Sequence, residues 1–195
     1  MASRRVIVAA GTLIVGLACS AGAQSARPGP DEMVDNPPFA NWTQFKLGTI
    51  VMQKEVVSLP DGRKLEQLLT YKLVKKNKDD VVVESTVKDR TAGATESTRM
   101  LNTYPARVRM RDVSTERGPD VAVTEGKEEM TVKGRKLAVE WVEAVIRGGD
   151  DVWTEKMWTA REIPGGIVKQ TLVHKRGDKV VSESVLEMTD FKPGS

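Results

Sequence analysis

Leu59-Pro60-Asp61-Gly62-Arg63-Lys64-Leu65-Glu66-Gln67-Leu68-Leu69-Thr70-Tyr71-Lys72-Leu73 reads as a turn that feeds a strand. Pro60 has the fixed φ that suits the second position of a tight turn, and Asp61-Gly62 complete it. Leu65, Gln67, Leu69, Tyr71 and Leu73 then recur at period two. Glu66, Thr70 and Lys72 fall on the opposite face, with Leu68 the one exception. That alternation is the signature of a strand with one face turned to a core.

The same grammar repeats on both sides. Polar or glycine turns follow at Asn77-Lys78-Asp79-Asp80, Lys133-Gly134-Arg135, Arg147-Gly148-Gly149-Asp150, Pro164-Gly165-Gly166 and Arg176-Gly177-Asp178-Lys179. Turn signals this closely and regularly spaced predict an antiparallel meander of roughly nine to eleven strands. Val180 to Met188 is rich in β-branched residues, as strands prefer. Leu137 to Arg147 has both helical and strand spacing, but its valines, isoleucine and flanking glycines favour a strand. Phe39 to Lys46 is the only stretch read as a helical turn, with Trp42 and Phe45 on one side. The expected fold is all-β, a curved sheet or incomplete barrel.

An echo suggests two similar halves. At an offset of 99, Leu73, Val74, Lys76, Asp79, Val81, Val82, Glu84 and Ser85 match Leu172, Val173, Lys175, Asp178, Val180, Val181, Glu183 and Ser184. Composition alone gives about one such match in a stretch of this length. Trp42 and Trp141 share the offset. Two readings stay open: an old duplication, covering about 42–90 and 137–191, and two hairpins that converged on one turn chemistry. No linker separates the halves, so 39–192 is expected to be a single domain.

The N-terminus carries an address. Arg4 and Arg5, the apolar run Val6 to Ala18, and Ala21-Gly22-Ala23 form the three parts of a secretory signal over 1–23, with cleavage between Ala23 and Gln24. The run is shorter than the ~18 to 20 residues that span a bilayer as a helix, and no later segment is apolar enough to span. Cys19 offers lipid anchoring as an alternative, and Arg4-Arg5 a twin-arginine variant of export. The destination is periplasmic or extracellular. Gln24 to Pro38 (QSARPGPDEMVDNPP) has the composition of a flexible tether.

Charge and composition exclude several functions. The 195 residues hold 30 basic and 27 acidic side chains, and without Arg4 and Arg5 the balance is 28 against 27. A charge near +1 argues against an electrostatically driven nucleic-acid binder. Cys19 is the one cysteine and His174 the one histidine, which rules out an intramolecular disulfide and a histidine-built metal site. No nucleophile motif, zinc motif, calcium loop or phosphate loop appears, so no catalytic residue, metal or cofactor is expected. His174 is read as a solvated strand-end residue. Arg107, Arg109 and Arg111 alternate at strand period, giving either an anion patch or a solvated face paired with Glu125, Glu128 and Glu129.

Four tryptophans stand against two tyrosines and three phenylalanines. Trp42, Trp141, Trp153 and Trp158 are the candidate lining of a hydrophobic cleft; the alternative is that they fill the core. Trp153 and Trp158 are five apart and fall on opposite faces of a regular strand.

Trp158-Thr159-Ala160-Arg161-Glu162-Ile163-Pro164-Gly165-Gly166-Ile167-Val168-Lys169 resembles a strand-turn-strand pattern of uncharacterised exported bacterial proteins. It is also somewhat similar to the corresponding hairpin of periplasmic lipoprotein carriers of the LolA type. The resemblance is close over Val152 to Leu186 and elsewhere rests on a run of strands. It implies an incomplete antiparallel barrel that shelters acyl chains around helices, of which this chain offers one short turn. The resulting expectation is an exported, non-enzymatic β protein that binds a lipid-like or hydrophobic ligand or an envelope protein. The alternative is a structural or interaction module of the envelope with no ligand pocket.

Overall fold

The computed structural model describes residues 29–91, 97–113 and 120–194. The leader, Cys19 and the Ala23/Gln24 junction lie outside them. In chain order the elements are β1 (Met33–Asp35), α1 (Pro37–Trp42), β2 (Ile50–Ser58), β3 (Lys64–Lys76), β4 (Asp80–Asp89), β5 (Ser97–Pro105), β6 (Arg107–Arg109), α2 (Met110–Val113), β7 (Val121–Val132), β8 (Arg135–Gly148), β9 (Asp151–Thr159), β10 (Ile167–Arg176) and β11 (Lys179–Lys192).

Nine strands form one antiparallel sheet in the order β5-β4-β3-β2-β11-β10-β9-β8-β7, and β1 pairs with β6 in a small separate ladder. β5 and β7 do not pair with each other, so the sheet stays open. Every neighbour is a chain neighbour except β2 and β11, which join the two ends of the meander at the centre. There Val57 lies opposite Ser184 and Glu55 opposite Leu186. The fold expected from turn spacing is the fold observed, an open all-β sheet; the helical turn expected near Phe39 is α1, and the single turn α2 was not expected.

Alternation decides which face packs. On β3, Leu69 and Leu73 are buried while Lys64 and Lys72 are exposed. Across the ladder, Leu73 meets Val83 and Tyr71 meets Val51. Trp42 of α1 joins Val51, Leu73, Val81 and Val83 in one cluster, so the helix covers this end of the sheet face. Burial of a side chain the size of Leu73 stabilises by about 1.5–3 kcal/mol. Pro37 at the start of α1 costs no hydrogen bond, because the first helical N–H groups have no partner in any case. Bulges interrupt β10 between Ile167 and Lys169, and β11 between Met188 and Asp190. Such insertions bend strands and increase twist.

Three expectations change. The tether of 24–38 ends earlier than its composition suggested, because Met33–Asp35 pair with Arg107–Arg109. That pairing also breaks up the arginine stripe. Arg107 reaches the Met33 carbonyl, and Arg111, now in the helical turn α2, pairs with Asp31 at 2.9 Å. The partners are thus β1 and its flank, not Glu125, Glu128 or Glu129. Finally, Pro164-Gly165-Gly166 does not close the β9–β10 hairpin directly. The strands pair up to Thr159 and Ile167, and Ala160 to Gly166 form a wider loop with Ile163 and Pro164 turned inward. Within it, the Gly166 N–H donates to the Ile163 carbonyl at 2.8 Å, so Pro164 and Gly165 occupy the middle of a tight turn as anticipated.

Candidate functional site

The structure distributes the four tryptophans over three environments. Trp42 is 4% exposed and lies in the core under α1. Trp141 and Trp158 face each other across β8 and β9. Trp153 stands on the other face of β9, opposite His174, and the two rings stack at 4.8 Å with 8° between their planes. The opposite-face expectation for Trp153 and Trp158 follows from the unbroken β8–β9 register.

His174 is not the solvated residue its sequence position suggested. Its Nε2 lies 2.7 Å from Asp151 Oδ1, and the Arg176 Nε donates to that oxygen at 3.0 Å. The Arg176 hydrogen bond first, and His174 second, hold the Asp151 carboxyl below the usual range. Flat stacking on Trp153 then fixes the imidazole from one side.

The Trp141–Trp158 pair carries more chemistry. Lys156 on the same face places its Nζ 4.0 Å from the Trp141 ring centre and 4.9 Å from that of Trp158. Lys169 sits 5.9 Å from Trp158. Such cation–ring contacts contribute about 0.5–1 kcal/mol where exposed. The Trp158 indole N–H donates to the Glu128 carboxylate of β7. Gly126, opposite Trp141 on β7, makes room for the indole, since a Cβ there would stand 2.6 Å from the ring. This glycine was not singled out from the sequence. Its signal was available: a lone glycine inside a strand pattern marks a close approach.

A groove lies beside this strip. β9 ends at Thr159, which pairs with Glu140, while β7 and β8 continue to Val132 and Arg135. Met130 and Val132 on the overhanging hairpin wall a groove of about 370 Å³ with Val168 and Met188, rimmed by Lys54, Lys133, Lys169 and Glu187. Lys169 pairs with Glu187 at 2.7 Å and also approaches Trp158, which links groove and aromatic strip. Sequence reasoning missed the groove, because only the third dimension brings residues 130–133 onto 168–169 and 187–189.

On the opposite face of β9 Glu155 is 6% exposed, between Ala144 and Leu172. The Gln170 side-chain amide donates to it. Burial pushes its pKa up, and the Gln170 bond offsets this only in part. A raised acid pKa means that the fold prefers the protonated form. Stability from this group is therefore full below the ordinary value of 4.5 and declines as pH rises through the folded value. Glu155→Gln is expected to raise the melting temperature at pH 7. The gain should shrink as pH falls and vanish below 4.5; melts of both proteins across pH 4–8 check it, and a constant or inverted difference would contradict the burial argument.

Among the described residues, no helix is long and apolar enough to cross a membrane, and no group of three or more His, Cys, Asp or Glu is placed to hold a metal ion.

No protein-family profile and no curated protein matches the chain. Solved structures do. The chain is similar to a Bacteroides fragilis protein described as exported and YmcC-like in fold, at 16% identity and a TM-score of 0.43, over 76% of this chain and 97% of that one. A Parabacteroides distasonis protein described as a lipoprotein matches at 11% identity and TM-score 0.42, over 75% and 96%. A LolA superfamily protein from Nitrosomonas europaea matches at 12% identity and TM-score 0.27, over 83% and 94%. Both kinds of protein compared with the Trp158–Lys169 pattern, exported proteins and the LolA superfamily, are thus among those found.

Proposed function

We propose that the chain is an exported, non-enzymatic β protein that shelters the apolar part of a lipid-like ligand in the groove under the β7–β8 overhang. The groove itself carries this reading. Its volume of about 370 Å³ falls within the ~300–1,000 Å³ of ordinary ligand sites. Val168, Met188, Met130 and Val132 supply its apolar lining beside Thr131 and Thr189, and of the three lysines at the rim Lys54 is paired with Glu66 and Lys169 with Glu187, which leaves Lys133 to meet an anion. That combination suits an acyl chain with an anionic head. Burying such a chain gains about 0.8 kcal/mol per CH₂ before the costs of association. The leader over 1–23 supports delivery to the periplasm or beyond, where such ligands are handled between membranes.

Two measurements test the reading. Expressed in a Gram-negative host, the protein should leave the cytoplasm and give an intact mass that starts at Gln24; an uncut chain, or a diacylglycerol on Cys19, would count against soluble export. The exported protein should bind dodecanoate and displace it for longer-chain fatty acids. Val132→Trp, which fills the groove from the hairpin tip, should weaken dodecanoate binding at least tenfold and leave the fold intact by circular dichroism. If the exported chain carries no lipid in native mass spectra and binds none, the envelope module without a pocket becomes the better reading.

A further inference from the structure

The two edges of the open sheet differ in kind. β7 is guarded by charge, with Glu125, Lys127, Glu128 and Glu129 all exposed along it. Charged residues on an edge strand discourage pairing with another chain. β5 lacks this protection. Met100 is 53% and Leu101 65% exposed, and from Met100 to Pro105 no residue is charged. As neighbours on a strand they point to opposite faces, so the edge is apolar on both sides. Its one cation, Arg99, is paired with Glu84 of β4, much as Lys127 and Glu129 of β7 are paired with Glu140 and Lys136 of β8, so the edges differ in the number of charged residues they carry: one on β5 against four on β7. Among the described residues the outer ladder from Ser97 to Tyr104 takes no backbone hydrogen bond; only the Pro105 carbonyl is taken, by the Asn36 side chain.

We propose that β5 is a docking edge for a second copy of this chain, pairing antiparallel with its own counterpart about a two-fold axis at Leu101. An unpaired ladder accepts an extended backbone, and β5 is itself an extended, uncharged strand that presents one. In the register with Leu101 opposite Leu101, Thr98 to Tyr104 pair in both directions, Met100 meets Asn102, and Arg99 meets Thr103. The two arginines then stand about 14 Å apart along the strands at ~3.4 Å per residue, beyond the Debye length of about 8 Å at physiological salt. Two-fold pairing uses the β5 edge of each copy and closes. Head-to-tail growth needs β7, whose charges oppose it. The surface lies apart from the groove, and the inference does not depend on the ligand reading.

Sedimentation equilibrium of the exported chain should show a monomer–dimer equilibrium with nothing larger. Leu101→Lys places two ammonium groups in contact at the axis and should weaken the dimer at least tenfold, while Val180→Lys, at a 48% exposed position near the start of β11, should leave it unchanged. Directly opposed residues in an antiparallel pair have Cα atoms about 4.5–5.5 Å apart, within reach of a disulfide. In a Cys19→Ser background, Leu101→Cys should therefore cross-link under mild oxidation and Val180→Cys should not. A chain that stays monomeric at all concentrations, assembles beyond the dimer, ignores Leu101→Lys, or cross-links equally from both cysteines would overturn the proposal.

Discussion

Gly165→Val should lower the melting temperature by about 5–12 °C, and Gly29→Val should leave it unchanged. Gly165 has φ +79, a region that β-branched residues avoid, and holding valine there costs on the order of 1–3 kcal/mol. The structure adds a second cost. A Cβ at this position would stand 3.3 Å from the buried Trp42 ring, closer than ordinary contact, and the two further methyl groups of valine need space that the core does not offer. Together these effects amount to about 2–4 kcal/mol. The loop is also tied to α1. The Gly165 N–H donates to Asn41 Oδ1 at 2.7 Å, and Asn41 Nδ2 donates to the Ile163 carbonyl at 3.2 Å. Displacing the turn therefore loosens the helix that caps the core. Around Gly29 no atom lies within 4 Å of a new Cβ. Equal melting temperatures for the two variants would show that the turn does not anchor Trp42.

Leu73→Ala should destabilise by about 2–5 kcal/mol, whereas Leu172→Ala, at the matching position of the sequence echo, should cost less than about 1 kcal/mol. The first side chain is fully buried and the second 37% exposed. Removing Leu73 leaves a cavity among Val51, Val81 and Val83, which cannot close without moving three strands. Urea unfolding of both variants decides it, and a large cost at Leu172 would mean that its face is covered more fully than its exposure indicates.

That contrast bears on the echo. Both segments form hairpins, and one pair close to each turn corresponds: Lys76 with Val81, and Lys175 with Val180, although the second ladder runs one pair further, to Arg176 and Lys179. Beyond them the ladders diverge. In the first hairpin Val74 is the extra residue, on β3; in the second it is Val181, on β11. Leu73 therefore faces Val83, while Leu172 faces Ser184. Similar residues can close similar turns while a bulge on the opposite strand shifts the register and burial changes with it.

The tryptophans teach the same lesson at the site. Spacing told that Trp153 and Trp158 part to opposite faces, since nothing but the period of a strand is involved. It had no means to tell that Trp158 meets Trp141 and Lys156, that Trp153 stacks on His174, or that Trp42 closes over Gly165. These contacts join residues far apart in the chain.

From residue order alone came the strands, the turns, the open all-β class and the short helix. Each rests on local forces: the alternation of side chains, the φ preferences of proline and glycine, and hairpins between chain neighbours. Tertiary structure decided the seam between β2 and β11, the faces on which bulges turn the side chains, the groove under the β7–β8 overhang and the bare edge of β5. These depend on where strands end relative to one another and on how bulges bend them. Such geometry is summed over the whole sheet, and no window of neighbouring residues encodes it.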